Sequence, residues 1–260
     1  YYKIFMRKII ISFFCVSSIL INAQQVSDFE TWGSIGVQKK IFNKSLTLSA
    51  SQEFRFEDNS SKMDQFFTEF GMKYKFLDHW TLGIGHRVIR ENEGEDPNSK
   101  QNRWNTDIGF KHEIERFSIG YRLRYQSKSY SGVSKDEGDI PVQKFRTRIK
   151  VNYNIKNWKW DPYMATELFW AKETIAVNNF VASIDEEDIK ISGLQKIRLT
   201  IGTSKKIKKI GKLNIFYRFE HEFNKYPYSY IEMDDWSAQT HGPVNIKNWH
   251  ILGFNFNFNL

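Results

Sequence analysis

The chain has 260 residues and a formal net charge of +8, and hydrophobic residues make up 40% of it. A mean hydropathy of −0.55 excludes a bundle of membrane-spanning helices, because each such helix needs about 20 consecutive, predominantly apolar residues. Aromatic residues account for 16% of the chain and only 5 residues are proline, a composition that favours long, uninterrupted β-strands.

The first predicted element is a secretory signal peptide over residues 1–23. Met6, Arg7 and Lys8 supply a positively charged start, and residues 9–21 carry no charged side chain. This apolar core of about 13 residues is too short to span a bilayer as a helix. Met6 is the predicted initiator, so residues 1–5 are an over-extended start, and Ala23 precedes the predicted cleavage site. Cleavage would remove Cys15, the only cysteine, and leave residues 24–260 as a single domain without disulfides.

From Trp32 onward, apolar and polar side chains alternate in segments of about ten residues, which is the pattern of half-buried β-strands. A period of two places the apolar side chains on one face and the polar side chains on the other. The lengths suit the ~9–11 residues that a tilted strand needs to cross a bilayer. The eleven predicted strands are residues 32–38, 45–57, 65–76, 80–88, 103–114, 117–126, 144–153, 160–170, 196–203, 213–223 and 247–260.

The connections between these segments fall into two alternating classes. Short turns are predicted at residues 77–79, 115–116, 156–157 and 204–211, and long polar loops at residues 91–101, 129–142, 172–190 and 225–246. Short turns at one rim and long loops at the other are typical of a transmembrane barrel. The sequence therefore predicts an all-β fold, a closed antiparallel transmembrane β-barrel with short periplasmic turns and long extracellular loops.

An odd number of strands conflicts with placing both chain ends in the periplasm, because a wall of antiparallel strands then needs an even number. Twelve strands result if residues 24–29 add a strand, and ten result if residues 32–38 leave the wall. We expect about 10–12 strands and favour twelve.

Four segments carry a family resemblance: residues 28–32 (DFETW), 51–55 (SQEFR), 118–126 (SIGYRLRYQ) and 251–254 (ILGF). In these strand patterns the chain resembles an uncharacterised family of outer-membrane β-barrels of flavobacteria-like species, catalogued as a domain of unknown function. The resemblance covers essentially the whole mature chain. It implies a barrel and an outer-membrane location, and it implies no activity.

The polar face of the predicted strands is strongly charged. One interpretation is a pore lining that selects solutes by sign. The other is a network of cross-strand ion pairs that fills a narrow barrel and fixes its register, which we favour because the two signs are nearly balanced. A local anion-attracting patch remains open, since two arginine pairs fall on consecutive strands. The predicted network consists of Glu53, Arg55, Glu69, Asp107, Arg122, Arg124, Arg146, Arg148, Glu167, Arg198, Arg218 and Glu220.

Aromatic residues gather beside the predicted short turns, where they would form the inner aromatic girdle of a membrane barrel. These girdle residues are Phe76, Trp80, Phe117, Tyr153, Trp158 and Trp160. At the C-terminus, phenylalanine and asparagine alternate. Phe254, Phe256, Phe258 and Leu260 form a predicted signal for the barrel-insertion machinery, although Leu260 stands where barrels more often end in an aromatic residue.

Catalysis at the outer rim would require a histidine near a serine and a third, orienting group. His221 and His86 fall on the apolar face, but Ser127 and Ser129 are several predicted strands from His221. We therefore predict no catalytic residues and no enzymatic activity.

Other ligand classes find little support in the sequence. The acidic residues 185–188 and 232–235 lack the spacing of a calcium-binding loop, and the basic run 205–209 lies in a predicted turn. We expect no metal, no cofactor and no nucleic-acid partner. The basic charge suits contact with outer-membrane lipid and lipopolysaccharide.

The sequence thus predicts an outer-membrane protein that is structural or a narrow solute conduit. Two alternatives stay open: a lipid-acting enzyme at the outer rim, and a soluble periplasmic β-barrel that binds an apolar ligand. In the second alternative the faces are inverted, because the aromatic stripe would line an internal cavity.

Overall fold

The computed structural model describes residues 26–91, 100–132, 141–175, 189–223, 231–234, 237–240 and 247–260. The predicted signal peptide and most of the predicted long loops lie outside these residues. Within them, no helix combines the length and apolar character needed to cross a membrane.

The described residues form β-strands joined by turns, and eleven of the strands build a closed barrel. The barrel strands are β1 (Val26–Ile41), β2 (Leu46–Glu57), β3 (Lys62–Lys75), β4 (Trp80–Glu91), β5 (Lys100–Ile114), β6 (Phe117–Tyr130), β7 (Val142–Tyr153), β8 (Asp161–Ile175), β9 (Ile189–Ile207), β10 (Gly211–Glu222) and β13 (Lys247–Asn259). β11 (Ile231–Asp234) and β12 (Ser237–Thr240) form a separate two-stranded antiparallel sheet. The prediction of an all-β closed barrel is confirmed.

The wall closes through a parallel pair of strands. β1 to β10 pair antiparallel in sequence order, β10 pairs antiparallel with β13, and β13 pairs parallel with β1. The preferred number of twelve strands is therefore wrong. No turn interrupts residues 26–31, so these residues extend β1 and do not form a strand of their own.

The parallel pair places the two ends of the barrel chain at opposite rims. β1 and β13 run in the same direction, from Val26 beside Lys247 to Gln38 beside Asn259. Residue 26 and residue 260 therefore lie at different rims, and the expectation that both ends share one rim is wrong. The even-number rule holds for a wall of antiparallel pairs only, and one parallel ladder removes it.

The connections divide the barrel into two rims. The turns at residues 42–45, 76–79, 115–116, 154–160 and 208–210 form the short-turn rim. The opposite rim, here called the loop rim, carries the long connections. It also carries the tight turn at residues 58–61, where Asp58, Asn59 and Ser60 have positive φ, so the predicted segregation of turn length fails at this hairpin.

The strand period of two separates an apolar outer face from a polar inner face. On β4, Leu82 and Ile84 point outward and are 47% and 43% exposed, whereas Arg87 lies inside. Each of the eleven barrel strands has at least one exposed large apolar side chain. A smaller apolar cluster of Trp32, Tyr163, Phe216 and Ile251 is buried within the barrel.

The parallel seam can be tested by a disulfide between Ser34 and Asn255. These residues are register partners, and the Ser34 hydroxyl donates to the Asn255 Oδ1 atom at 2.8 Å. Neighbouring strands lie ~4.8 Å apart, within the range that a disulfide bridges. With Cys15 replaced by serine, we expect Ser34→Cys/Asn255→Cys to form a disulfide on mild oxidation, seen as a mobility shift that a reductant reverses.

The control for this cross-link is Ser34→Cys/Asn257→Cys, in which the second site moves two residues along the same face of β13. It should cross-link much less. Equal cross-linking of the two pairs, or none at residues 34 and 255, would contradict the parallel register.

Candidate functional site

The inner face of the barrel is the candidate functional site, because it collects the charged side chains. All twelve residues of the predicted network lie inside, on eight strands from β2 to β10. Their strand positions have the same parity as the other inward side chains, so the backbone alone directs them to the interior.

Glu167 on β8 is the most connected carboxylate of this interior. It accepts hydrogen bonds from Arg122 at 2.6 Å, Arg146 at 2.9 Å and Arg198 at 3.0 Å. Its side chain is 5% exposed. Charge-assisted bonds of this kind are about twice as strong as neutral ones, and here they join β6, β7, β8 and β9 across the interior.

A second carboxylate continues the network toward β10. Arg198 also donates to Glu220 at 2.6 Å, and Lys196 donates to the same carboxylate at 3.1 Å. Next to them, Arg218 donates to the Thr200 hydroxyl at 3.3 Å. Lys196 was absent from the predicted network, although it has the parity of Arg198 on the same strand. A β-bulge in β9 brings the adjacent Gln195 to the interior as well, which the alternation does not predict.

The other side of the barrel has its own ion pairs. Glu53 and Arg55 pair at 2.9 Å on β2, and Arg87 pairs with Glu69 and lies 3.9 Å from Glu53. Arg87 was also absent from the predicted list, although the alternation of β4 places it on the polar face. Its partners on β2 and β3 become neighbours only once the strands pair.

Aromatic rings separate several of the interior arginines. Each of three rings lies against guanidinium groups from at least two arginines, a contact that stabilises a buried cation by about 0.5–2 kcal/mol. These contacts are Trp32 with Arg55 (3.6 Å) and Arg218 (4.7 Å), Phe67 with Arg87 (3.7 Å) and Arg55 (4.8 Å), and Phe169 with Arg146 (4.4 Å) and Arg198 (4.7 Å). These rings were not part of the predicted network, although Phe67 has the parity of Glu69.

The interior encloses a cavity of about 390 Å³ that extends toward the loop rim. Its walls include twelve arginine and lysine side chains but only four glutamates, so the expected balance of the two signs does not hold there. We call it the arginine cavity; its lining includes Arg103, Arg122, Gln126, Arg146, Arg148 and Gln195.

A second cavity of about 150 Å³ lies toward the short-turn rim, and we call it the lower cavity. Its lining includes Lys150 and Tyr163, with the Lys150 ammonium 3.5 Å from the centre of the Tyr163 ring. Six residues line both cavities, and we call this shared boundary the constriction: Arg148, Glu167, Arg198, Phe216, Arg218 and Asn255.

The predicted girdle residues lie at the short-turn rim, in or beside its turns. Phe117 and Tyr153 contact each other across β6 and β7, with ring centroids 4.8 Å apart. Trp80 lies 5.0 Å from Phe110 on β5. Phe76 and Trp158 are exposed, and Trp160 has the Lys205 ammonium 5.4 Å from its ring.

The C-terminal alternation divides the two faces of β13. Phe254, Phe256 and Phe258 have the parity of the outer face, and Phe254 is 43% exposed. Asn255 and Asn259 lie opposite β1, where Asn259 accepts a hydrogen bond from Gln38 at 2.7 Å. Leu260 follows the last strand and is 72% exposed at the short-turn rim.

The histidines considered for catalysis lie on the outer face. His221 has its Nδ1 atom 2.8 Å from the Asn248 Oδ1 atom, and the His86 ring centroid lies 4.2 Å from that of Trp104. Ser127 lies on β6, which is not adjacent to β10 in the wall. The structure therefore does not bring His221 and Ser127 together.

In the part of the chain that the structure describes, no three His, Cys, Asp or Glu side chains are grouped to hold a metal ion. The acidic residues 185–188 lie outside the described residues.

A family model described as "Protein of unknown function (DUF2490)" matches residues 29–229. The chain belongs to this family. The match begins within β1 and ends just before β11, so the DUF2490 region contains ten of the barrel strands and β13 completes the wall. No curated protein and no solved structure matches the chain. The resemblance to a domain of unknown function is confirmed, and the family description assigns no activity.

Glu167→Gln tests whether the interior network holds the wall together. The change removes the charge that three arginines share, and removing one partner of a buried ion pair costs about 3–5 kcal/mol. We expect the free energy of unfolding to fall by about 3 kcal/mol, measured by denaturant titration. Glu113→Gln is the matched control, because its partner Lys111 is on the same strand and both side chains are exposed. An equal effect of the two substitutions would contradict a structural role for the network.

Proposed function

We propose that this protein is an outer-membrane β-barrel whose charged interior forms a narrow conduit for small solutes, without catalysis. The proposal places the short-turn rim in the periplasm and the loop rim outside the cell. The interior network sets the width of the conduit and fixes the register of the wall.

The observation that carries the proposal is the inversion of the two faces. Large apolar side chains are exposed on every strand around the outer wall, while carboxylates and guanidinium groups are buried inside. A soluble protein rarely exposes an apolar patch larger than ~300–600 Å². Contact with lipid would bury this apolar outer face. The strand lengths agree with a bilayer, since about 12 residues tilted by ~40° rise ~30 Å, the thickness of its hydrocarbon core.

The two alternative functions receive less support. A soluble barrel with an apolar ligand inside needs an apolar cavity, and arginine and lysine dominate the walls of the arginine cavity. A lipid-acting enzyme needs a nucleophile near His221, whose described hydrogen bond goes to Asn248.

Ile84→Arg tests the membrane location. Ile84 lies mid-strand on the outer face of β4. A lipid-facing arginine near the bilayer centre costs about 2–4 kcal/mol, whereas the same change on a soluble surface usually stays within about 0.5 kcal/mol. We expect a loss of about 2–4 kcal/mol in the free energy of unfolding from lipid vesicles. Leu77→Arg, in an exposed turn of the short-turn rim, should cost only ~0–1 kcal/mol.

A result near zero for Ile84→Arg, or a chain that remains soluble and folded without detergent, would contradict the membrane location. A folded barrel in detergent should also migrate differently on a gel before and after boiling.

Single-channel recording in planar bilayers tests the conduit. We expect a small conductance that favours anions, because cations dominate the arginine cavity. Phe216→Ala should raise the conductance, since the Phe216 ring lines the constriction between the two cavities. Phe254→Ala is the control, because Phe254 is on the outer face one register step away. Absence of current in both the parent chain and Phe216→Ala would contradict the conduit and leave a structural role.

A further inference from the structure

The arginine cavity holds more positive charge than its carboxylates compensate. Arg122 lies opposite Arg148 and Arg124 lies opposite Arg146 across β6 and β7. Like charges directly opposite each other destabilise a sheet. Asp107 binds Arg124 through two bonds of 2.5 and 2.7 Å, so this carboxylate is already engaged.

Three arginines of this cavity have no carboxylate partner among the described residues. In the part of the chain that the structure describes, the ion pairs do not include Arg103, Arg148 or Arg218. Glu167, the register partner of Arg148, is shared among three other arginines. Arg218 lies against the Trp32 and Phe216 rings and donates to Thr200, whereas Arg103 and Arg148 leave a local excess of positive charge in the barrel.

Unpaired hydrogen-bond donors gather at the same cavity. Among the described residues, the buried side-chain nitrogen atoms without a partner are Arg103 Nε, Arg122 Nε, Arg146 Nε, Gln126 Nε2 and Gln195 Nε2. All five of these residues line the arginine cavity. The corresponding oxygen atoms belong to Gln101, Asn105 and Ser118, and these three residues do not line it.

The wall of the arginine cavity therefore has unpaired hydrogen-bond donors, whereas the unpaired oxygen atoms lie elsewhere. Buried polar groups in native proteins are nearly always paired, so the missing partner is an acceptor. Water supplies an acceptor but no charge, whereas an oxyanion supplies several acceptors and neutralises the arginines. Guanidinium groups match phosphate and carboxylate oxygens through paired hydrogen bonds.

We propose that the arginine cavity is a binding site for a small, multiply charged oxyanion of the phosphate class. The proposed binding groups are Arg103, Arg122, Arg146 and Arg148, with the amides of Gln126 and Gln195. The volume of about 390 Å³ is at the small end of ligand pockets, which suits inorganic phosphate or a small phosphate ester. The inference rests on the proposed function, for which it names the class of solute.

Arg103→Gln/Arg148→Gln is the variant that tests the site. It removes two charges that form no described ion pair, so the empty barrel should be as stable as the parent or more stable. The full chain would be purified in a maltoside detergent, which carries no phosphate. Isothermal titration with sodium phosphate at constant ionic strength should give binding to the parent chain and at least tenfold weaker binding to the variant.

Lys150→Gln is the matched control. It removes an interior charge of the same sign, but Lys150 lines the lower cavity and not the arginine cavity. Its phosphate affinity should stay within about twofold of the parent. An equal loss in this control, equally strong binding of chloride, or no phosphate binding by the parent would overturn the site. A variant less stable than the parent without phosphate would overturn it too, since the arginines would then be structural.

Two further measurements identify the source of the phosphate and distinguish the proposed binding site from the proposed conduit. Phosphatidylglycerol added to the micelles should not compete with inorganic phosphate; competition would assign the site to a lipid head group and overturn binding of a free solute. Phosphate binding with no channel current would contradict the proposed conduit and support the binding site. Anion-selective current without phosphate binding would contradict the binding site and support the conduit.

Discussion

The parallel ladder between β1 and β13 joins the first barrel strand to the last, from Val26 and Lys247 to Gln38 and Asn259. Without it, two strand edges would be left with unpaired backbone groups, and the interior would be open along one side. The ladder also sets the odd strand number and places the two ends of the barrel chain at opposite rims. Because the wall is closed, side chains from eleven strands have to share one enclosed space, and the organisation of the interior follows from that.

The interior accommodates its arginines in three ways. Some are paired with carboxylates, as at Glu167 and Glu220, and some pack against rings such as Trp32, which lies between Arg55 and Arg218. A guanidinium group is well suited to both contacts, since it is planar and more weakly hydrated than an ammonium group. The third group, around Arg103, has neither a described carboxylate partner nor full hydrogen bonding, and it is this remainder that makes the arginine cavity a candidate anion site.

The ion-pair network and the arginine cavity differ in their position along the barrel axis. Glu167 and its three arginines occupy the interior beside β6 to β9. The arginine cavity extends toward the loop rim, and its walls carry more arginine and lysine side chains than glutamates. Ion pairs therefore link the wall strands at the level of Glu167, and the cavity beside them is where we propose that an anion binds.

The alternation in residues 45–57 and 247–260 is enough to predict the strands, the closed all-β fold and the inward direction of residues such as Glu53 and Arg122, because side-chain direction in a strand depends only on parity. Parity carries no information about which strands are neighbours at the seam, so the parallel β1–β13 pair and the strand number could not be predicted. Parity also carries no information about position along the barrel axis. The three arginines at Glu167, and the omitted Arg87 and Lys196, therefore meet their partners only through the register of neighbouring strands. The sequence by itself determined which face of the sheet each side chain occupies. The tertiary structure decided which charges meet and which stay unpaired, because those distances exist only once the wall is closed.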